Sequence, residues 1–321
     1  MPKLTYLQAI QAAQFEEMQR DKNVFVMGED VQCNMFGTTT GMIEAFGEDR
    51  VRDTPIAEAG MAGVAAGAAM VGMRPIVDFT IAPFLYPAYD QIISIIAKSR
   101  YLYGGQAKVP VVLRANMIYG NGNAAQHSDR PYPMFMNMPG LKIMVPSSAY
   151  EMKGLMKTAI RDDDPVMSFE DAMLWSASSD IPDDEYLIPF GKANVARAGT
   201  DCTIVAIGAM MLHATAAADE LAQDGVLCEV IDPRTVAPLD FATILESVAK
   251  TGRLVIVDVS FGTCSAASEI SAVVSDEGFW DLRAPIVRVT TENTHIPFST
   301  AETQLYPSKD KVVAAVRRTL S

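Results

Sequence analysis

Cysteine and histidine are both scarce in this chain. Its 321 residues include four cysteines and three histidines. The cysteines stand far apart with no Cys-x-x-Cys pair and no histidine close by, which argues against a structural zinc site and against a disulfide framework. Any histidine-based chemistry therefore has a short list of candidates: His127, His213 and His295.

Positive charge and long apolar runs are also in short supply. The 26 Lys and Arg residues are outnumbered by 39 Asp and Glu residues, and the net charge of −13 disfavours binding to nucleic acid or to an anionic membrane. No run of about 18 apolar residues is long enough to span a bilayer, and the opening MPKLTYLQAIQ lacks the apolar core of a signal peptide. We therefore expect a cytoplasmic protein with no nucleic-acid partner and no membrane partner.

Two glycine-rich motifs of nucleotide-binding proteins are missing. The sequence contains neither Gly-x-x-x-x-Gly-Lys-Ser/Thr nor a Gly-x-Gly-x-x-Gly after a predicted strand. These loops cradle the phosphates of nucleoside triphosphates and of dinucleotides, respectively. Neither ligand is supported by the sequence.

What is present is an alternation of strand-like and helix-like segments. Val24 to Met27 reads as a strand, Tyr86 to Tyr101 as a helix and Ala149 to Arg161 as another helix, and similar segments continue to the end of the chain. Such alternation predicts the α/β class, with mostly parallel sheets covered on both faces. A polar, proline-containing stretch over 176–194 interrupts the pattern and is typical of a linker. We predict two parallel-sheet domains, 1–185 and 186–321.

A single carboxylate, Glu58, stands in the stretch DTPIAEAG just ahead of MAGVAAGAAMVG. Gly60, Gly63 and Gly67 lie on roughly one helical face, and most other positions of the helix are alanines with small side chains. This pattern predicts a deeply buried helix that packs closely on a neighbouring backbone. Glu58 is then either a first-turn acid that complements the helix dipole or a buried acid that shares a proton with a ligand. Its position beyond a predicted strand favours the second role somewhat.

His127 lies in a polar, glycine-rich loop, YGNGNAAQHS. It is either a solvated or capping residue or a proton donor and acceptor at the lip of a site. The run Asp162, Asp163 and Asp164 before Pro165 is either a solvated helix end or a set of oxygen ligands for a hard cation. Spacing alone leaves both pairs of alternatives open.

Several blocks, taken in order, resemble the beta subunits of the thiamine-diphosphate-dependent 2-oxo acid dehydrogenases, a family that includes pyruvate, branched-chain and acetoin dehydrogenases. The blocks include VMGEDV at 26–31, DTPIAEAG at 53–60, RPIV at 74–77, AQHS at 125–128, PGLK at 139–142 and DPRT at 232–235. The resemblance covers nearly the whole chain. It implies a transketolase-like pyrimidine-binding domain over 1–185, followed by a transketolase C-terminal domain over 186–321.

The same resemblance implies roles for particular residues. Glu58 matches the glutamate that hydrogen-bonds the pyrimidine ring nitrogen of thiamine diphosphate, and His127 matches the histidine that assists acyl transfer to lipoamide. Phe84 matches the ring that stacks on the pyrimidine, with Ile56 and Thr80 at wall positions. A structural potassium site of some relatives, built mostly from main-chain oxygens, matches the following residues: Val111, Ala159, Ile160, Asp162 and Asp164.

The family also implies partners. Its diphosphate and Mg²⁺ are held by a Gly-Asp-Gly motif followed by an asparagine, and this sequence contains no Gly-Asp-Gly. The chain is therefore expected to hold half of a site, while an alpha subunit supplies the rest, including most of the ligands of Mg²⁺. We expect two alpha and two beta chains that dock a lipoyl acyltransferase.

Departures from the family pattern leave the substrate open. The segment DRPYP at 129–133 stands where many relatives have Gln and then small or apolar residues, and GTCS at 262–265 is more similar to acetoin than to pyruvate dehydrogenases. Two other functions are weighed against the dehydrogenase. A split transketolase-type ketol transferase would need more basic and His residues for sugar phosphates, and a non-catalytic relative would not be expected to keep Glu58, Phe84 and His127.

Overall fold

A computed structural model of the chain describes residues 2–321. The chain forms two compact units, one made of 2–118 and 134–190 and the other of 119–133 and 191–321. The short segment 119–133, which carries His127, thus groups with the C-terminal part of the chain. No helix within 2–321 is long and apolar enough to cross a membrane.

A parallel sheet forms the core of the first unit. Its strands follow the spatial order Lys142–Met144, Val166–Asp171, Val112–Met117, Arg74–Ile81, Val24–Gly28 and Val51–Asp53, and every neighbouring pair is parallel. The central strands are buried along almost their entire length, as expected for a sheet covered on both faces. A separate antiparallel pair joins Lys3–Thr5 to Ser178–Asp180.

Three long helices cover this sheet. Tyr6–Arg20 begins with a capping box between Thr5 and Gln8, and it packs against Ala149–Arg161, which Ser148 caps. The third is Glu58–Met70. Shorter helical segments are Met42–Phe46, Ala82–Leu85, Gln91–Ile96, Ser99–Leu102 and Ala172–Leu174, and Tyr132–Met136 spans the boundary at residue 134.

The second unit has a smaller mixed sheet. Its order is Val287–Thr291, Leu254–Phe261, Cys202–Ala206, Cys228–Asp232 and Asn194–Arg197, with only the last pair antiparallel. The longer helices are Met210–Gln223, Phe241–Thr251, Ala266–Glu277 and Lys309–Leu320. The remaining elements are Ala124–His127, Thr235–Ala237, Phe279–Asp281 and Thr300–Gln304. Buried Val, Ile and Leu side chains of the strands pack with two of the helices to form the core.

The helix predicted over 86–101 differs from the structure. The chain forms a π-helical turn at Gln91–Ile96, in which the Ala97 N–H donates to the Ile92 carbonyl at 2.9 Å, and then a short α-helix at Ser99–Leu102. In this π-helical turn an N–H bonds the carbonyl five residues earlier, instead of four as in an α-helix. The apolar periodicity of the sequence alone therefore could not predict the turn.

Candidate active site

Three neighbouring strands of the first unit, Val51–Asp53, Val24–Gly28 and Arg74–Ile81, end at one edge of the sheet. Ligands of doubly wound proteins bind at this carboxyl edge. The predicted cofactor-binding residues of the chain lie at the ends of these strands or just beyond them: Ile56, Glu58, Thr80 and Phe84.

Glu58 is the first residue of the helix Glu58–Met70, and its side chain is partly buried. The N-cap residue, Ala57, offers no side-chain acceptor, so the Glu58 carboxylate is the acidic group of the first helical turn. Burial and the nearby negative charge of Glu58 raise the pKa of Glu29, which follows the strand Val24–Gly28. The raised pKa of Glu29 favours its protonated form.

The glycine-rich helix is not buried as deeply as its sequence predicts. Five of its side chains are buried, and they are Met61, Ala62, Ala65, Ala66 and Ala69. The opposite face is open, with Val64 61% exposed and Gly60 and Gly67 exposed as well. The prediction of deep burial is wrong for the chain alone, because the small residues on this face have no covering element among residues 2–321.

Thr80 has a strained backbone. Its φ of +62° lies in the left-handed region that a β-branched residue avoids. The Asp78 carboxylate accepts the Thr80 N–H at 2.8 Å, and the Asn116 side-chain amide donates to the Thr80 carbonyl at 2.7 Å. The pairing register with the next strand shifts between Asp78 and Ile81. Strain held in place by neighbouring side chains is a frequent property of functional sites.

A buried ion-pair network fixes Asp78. The Arg114 guanidinium, which is fully buried, donates to both oxygens of Glu170 at 2.8 Å and to Asp78 Oδ2 at 3.0 Å. Burial alone would lower the pKa of Arg114, but the charges of Glu170 and Asp78 raise it, so the guanidinium stays charged. Sequence reasoning missed this network, although charged residues inside three apolar strands were a visible signal.

Two buried oxygens at this edge have no hydrogen-bond partner among residues 2–321: Thr54 Oγ1 and Asn116 Oδ1. Thr54 follows the strand Val51–Asp53, and Asn116 lies near the end of Val112–Met117. Buried acceptors without partners are rare in folded proteins and call for a donor. Together with a carboxyl at Glu58 and an aromatic ring at Phe84, they fit an aminopyrimidine, which has amino hydrogens, a weakly basic ring nitrogen and a flat face.

His127 belongs to the second unit, whereas the four residues above belong to the first. It ends the short helix Ala124–His127, and its side chain is exposed. Buried groups anchor the segment 119–133 at both ends. The Glu302 carboxylate accepts the N–H groups of Gly120, at 3.3 Å, and of Gly122, and the Tyr132 hydroxyl donates to Asp258.

Three of the five residues of the predicted potassium site, Ile160, Asp162 and Asp164, already bind cationic side chains. Arg74 donates to the Ile160 carbonyl at 2.7 Å and to the Asp162 carbonyl, and Lys142 binds the Asp162 carboxylate at 2.6 Å and Asp164 at 3.2 Å. No group of three or more His, Cys, Asp and Glu residues suited to a metal occurs within 2–321. The oxygens therefore do not fit an added potassium ion without displacement of Arg74 or Lys142.

Comparisons with known protein families divide the chain in the same order as the sequence blocks. Residues 2–174 match the family Transketolase, pyrimidine binding domain, and residues 191–312 match Transketolase, C-terminal domain. These domains imply thiamine diphosphate as the cofactor. Most of the described chain lies within one match or the other.

Curated relatives cover nearly the full length. The chain is 42% identical to the beta subunit of acetoin:2,6-dichlorophenolindophenol oxidoreductase of Bacillus subtilis, covering 95% of this chain and 94% of that protein. It is 43% identical to the beta subunit of 2-oxoisovalerate dehydrogenase of the same organism, covering 99% and 98%. It is also 43% identical to the beta subunit of the pyruvate dehydrogenase E1 component of Rickettsia felis, covering 98% of each.

A solved structure has the same architecture. It is a split-gene transketolase described as an inactive beta4 tetramer, with a TM-score of 0.82 at 25% identity over 99% of this chain and 98% of that one. The fold class and the two-domain organisation are thus shared with a protein that divides its chain between two genes.

Proposed function

We propose that the chain completes a thiamine-diphosphate enzyme together with an alpha subunit. The premise is that the chain belongs to the transketolase-like family of beta subunits of 2-oxo acid and acetoin dehydrogenases. The enzyme decarboxylates a 2-oxo acid or cleaves acetoin and passes the acyl group to lipoamide. The observation that carries this proposal is the carboxyl edge of the first sheet, where Glu58 starts a helix and where the buried oxygens of Thr54 and Asn116 lack a hydrogen-bond partner among residues 2–321.

Each residue at this edge has a distinct task. Glu58 hydrogen-bonds the pyrimidine ring nitrogen and shares a proton with it. Phe84 stacks on the ring, and Ile56 and Thr80 form its walls. When bound, thiamine diphosphate supplies the carbon nucleophile that attacks the substrate carbonyl. His127 donates and accepts the protons needed when the lipoyl group takes up the acyl unit.

The alpha subunit completes the site. The open face of the helix Glu58–Met70 offers small residues that allow close packing, and the exposed Ile56 adjoins it. The alpha chain holds the diphosphate and Mg²⁺, and the assembly contains two alpha and two beta chains that dock a lipoyl acyltransferase. Potassium is not assigned a role, because cationic side chains of the protein already bind three of the five predicted ligands.

Identity does not choose the substrate, because relatives named for acetoin, 2-oxoisovalerate and pyruvate all match at 42–43%. The test is an assay of the chain reconstituted with the alpha subunit encoded beside it. Thiamine-dependent dye reduction is expected with acetoin, pyruvate or a branched 2-oxo acid. No activity with any of them refutes the proposal.

A ketol transferase remains the second candidate because the similar solved structure is a split transketolase. Transfer of a ketol unit between sugar phosphates by the reconstituted enzyme, without dye reduction, would favour it. Inactivity in both assays would favour a non-catalytic relative.

A further inference from the structure

Arg130 is a buried cation that the proposed chemistry does not use. Its side chain is 3% exposed, and its guanidinium carbon lies 5.6 Å from the ring centroid of Tyr119, 5.1 Å from that of Phe261 and 5.2 Å from that of Tyr306. These distances are typical of cation–π contacts. Arg130 is thus enclosed by three aromatic rings of the second unit.

The guanidinium also joins two parts of the backbone. Nε donates to the Val259 carbonyl at 3.1 Å, on the strand Leu254–Phe261, and Nη1 donates to the Ser128 carbonyl. The Ser260 hydroxyl in turn donates to the Arg130 carbonyl at 3.2 Å. Ser128 is the residue next to His127, so the arginine connects the neighbour of the predicted catalytic histidine to the sheet.

Stability alone does not explain an arginine at this position. Nη2 has no hydrogen-bond partner among residues 2–321, and a buried charge with an unused donor costs free energy. Well-packed apolar side chains of similar volume commonly replace buried charges at no loss of stability. An arginine offers instead a rigid planar fork that bonds two divergent carbonyls in fixed directions, whereas the donors of a lysine sit on a flexible stem.

We propose that Arg130 is a positioning residue for His127. Its guanidinium hydrogen-bonds both the Ser128 carbonyl and the Val259 carbonyl, and the surrounding aromatic rings hold the guanidinium in place. The backbone at His127 is thereby kept in one position relative to the sheet of the second unit. The two other anchors, at Glu302 and at Tyr132, hold the ends of the segment 119–133, whereas Arg130 holds it beside His127. The consequence for acyl transfer rests on the proposed function, but the anchoring itself does not.

The anchoring is tested by hydrogen exchange on the full chain assembled with its alpha subunit. Arg130→Lys is expected to speed amide exchange in 119–129 about tenfold, because loss of the fork makes local opening easier. Arg317→Lys is the matched control, since Arg317 is an exposed arginine of the same unit paired with Asp224. Unchanged exchange in Arg130→Lys, or faster exchange throughout the second unit, would overturn the proposal. If the lysine variant does not fold, Arg130→Met provides the same comparison with an apolar side chain.

The functional consequence is tested by a double-mutant cycle. In Arg130→Lys, the ratio of lipoamide acylation to dye reduction is expected to fall about tenfold, while in a His127→Ala background the same change adds no further loss. Losses that multiply in the double variant would show that Arg130 acts through another group, and the proposal would be wrong. If His127→Ala leaves acylation intact while the exchange result stands, the role assigned to His127 fails and the anchoring is upheld.

Discussion

Thr80 adopts a backbone conformation that β-branched residues avoid, and two side chains from neighbouring positions of the sheet hold it there. The Asp78 carboxylate accepts the Thr80 N–H and the Asn116 amide donates to the Thr80 carbonyl, while Arg114 donates to Asp78. A conformation of this kind costs about 1–3 kcal/mol and persists only when its surroundings determine it. Thr80 is therefore held in place before any ligand binds, which suits a wall of a site for a flat, rigid ring.

Glu58→Gln tests the proton-sharing role at this edge. Glutamine has the same shape but cannot exchange a proton with a ring nitrogen, so dye reduction by the reconstituted enzyme should fall by about 100-fold to 10,000-fold. Assembly, followed by size-exclusion chromatography, should not change, since the side chain is only partly buried. Activity within a few-fold of the wild type would show that Glu58 is an ordinary helix-dipole acid.

Arg74 provides a test at the predicted potassium site. Replacement of KCl by NaCl at equal ionic strength should leave the melting temperature unchanged, because Arg74 and Lys142 already bind the oxygens. Arg74→Gln should lower stability by about 1–3 kcal/mol, since the partly buried carbonyl oxygens of Ile160 and Asp162 lose a charged donor. Arg52→Gln, at an exposed arginine, is the control and should have little effect. Specific stabilisation of the wild type by potassium would contradict the structure.

Among the helices and strands, features set by the sequence of a single segment could be predicted, whereas features set by contacts with other segments could not. The helix Ala149–Arg161 begins and ends where the sequence predicts, because its serine cap and its apolar periodicity are local signals. The helix Phe241–Thr251 was not predicted from the sequence, although Asp240 caps its start and Gly252 ends it with a φ of +73°.

Contacts between distant segments account for the other differences. The anchoring of 119–133 through Glu302 and Asp258 joins residues more than a hundred positions apart, which no local pattern encodes. The exposure of one face of Glu58–Met70 has a similar cause. Small residues such as glycine and alanine indicate close packing, but they do not show whether the packing partner belongs to the same chain. The family resemblance supplied the site residues, and the roles of Glu58, Phe84 and His127 stay predictions.

Gly67→Leu tests whether a partner covers this helix face. An added Cβ at Gly67 meets no atom within 4 Å in the chain itself, and leucine favours helix more than glycine does, by up to about 1 kcal/mol. The isolated chain should therefore be at least as stable, whereas overpacking against an alpha subunit should weaken assembly about tenfold or more, as measured by titration with that subunit. Ala216→Leu, on an exposed helical position of the second unit, is the control. Wild-type affinity in Gly67→Leu would mean that the alpha subunit binds elsewhere.

At the scale of the whole molecule, the chain carries only part of the apparatus that its proposed chemistry needs. It has a carboxyl, an aromatic ring and the strained Thr80 for the proposed pyrimidine site, but within 2–321 it gathers no group of acidic, His and Cys residues suited to a metal. The split-gene transketolase that it resembles forms a tetramer of beta chains that is inactive. A division of the site between two chains is consistent with both observations.

The chain alone should accordingly show no thiamine-dependent dye reduction. Activity should rise linearly as alpha subunit is added and reach a plateau at one alpha per beta, because each site needs one contribution from each chain. Mass measurement at the plateau should give two chains of each kind. For Glu58→Gln, the mass of the assembly should stop rising at the same ratio of alpha to beta chains, while no activity appears. This result would separate assembly from catalysis. Activity of the chain alone, or a plateau well below one alpha per beta, would mean that the chain holds a complete site, and the proposed division of the cofactor between subunits would be wrong.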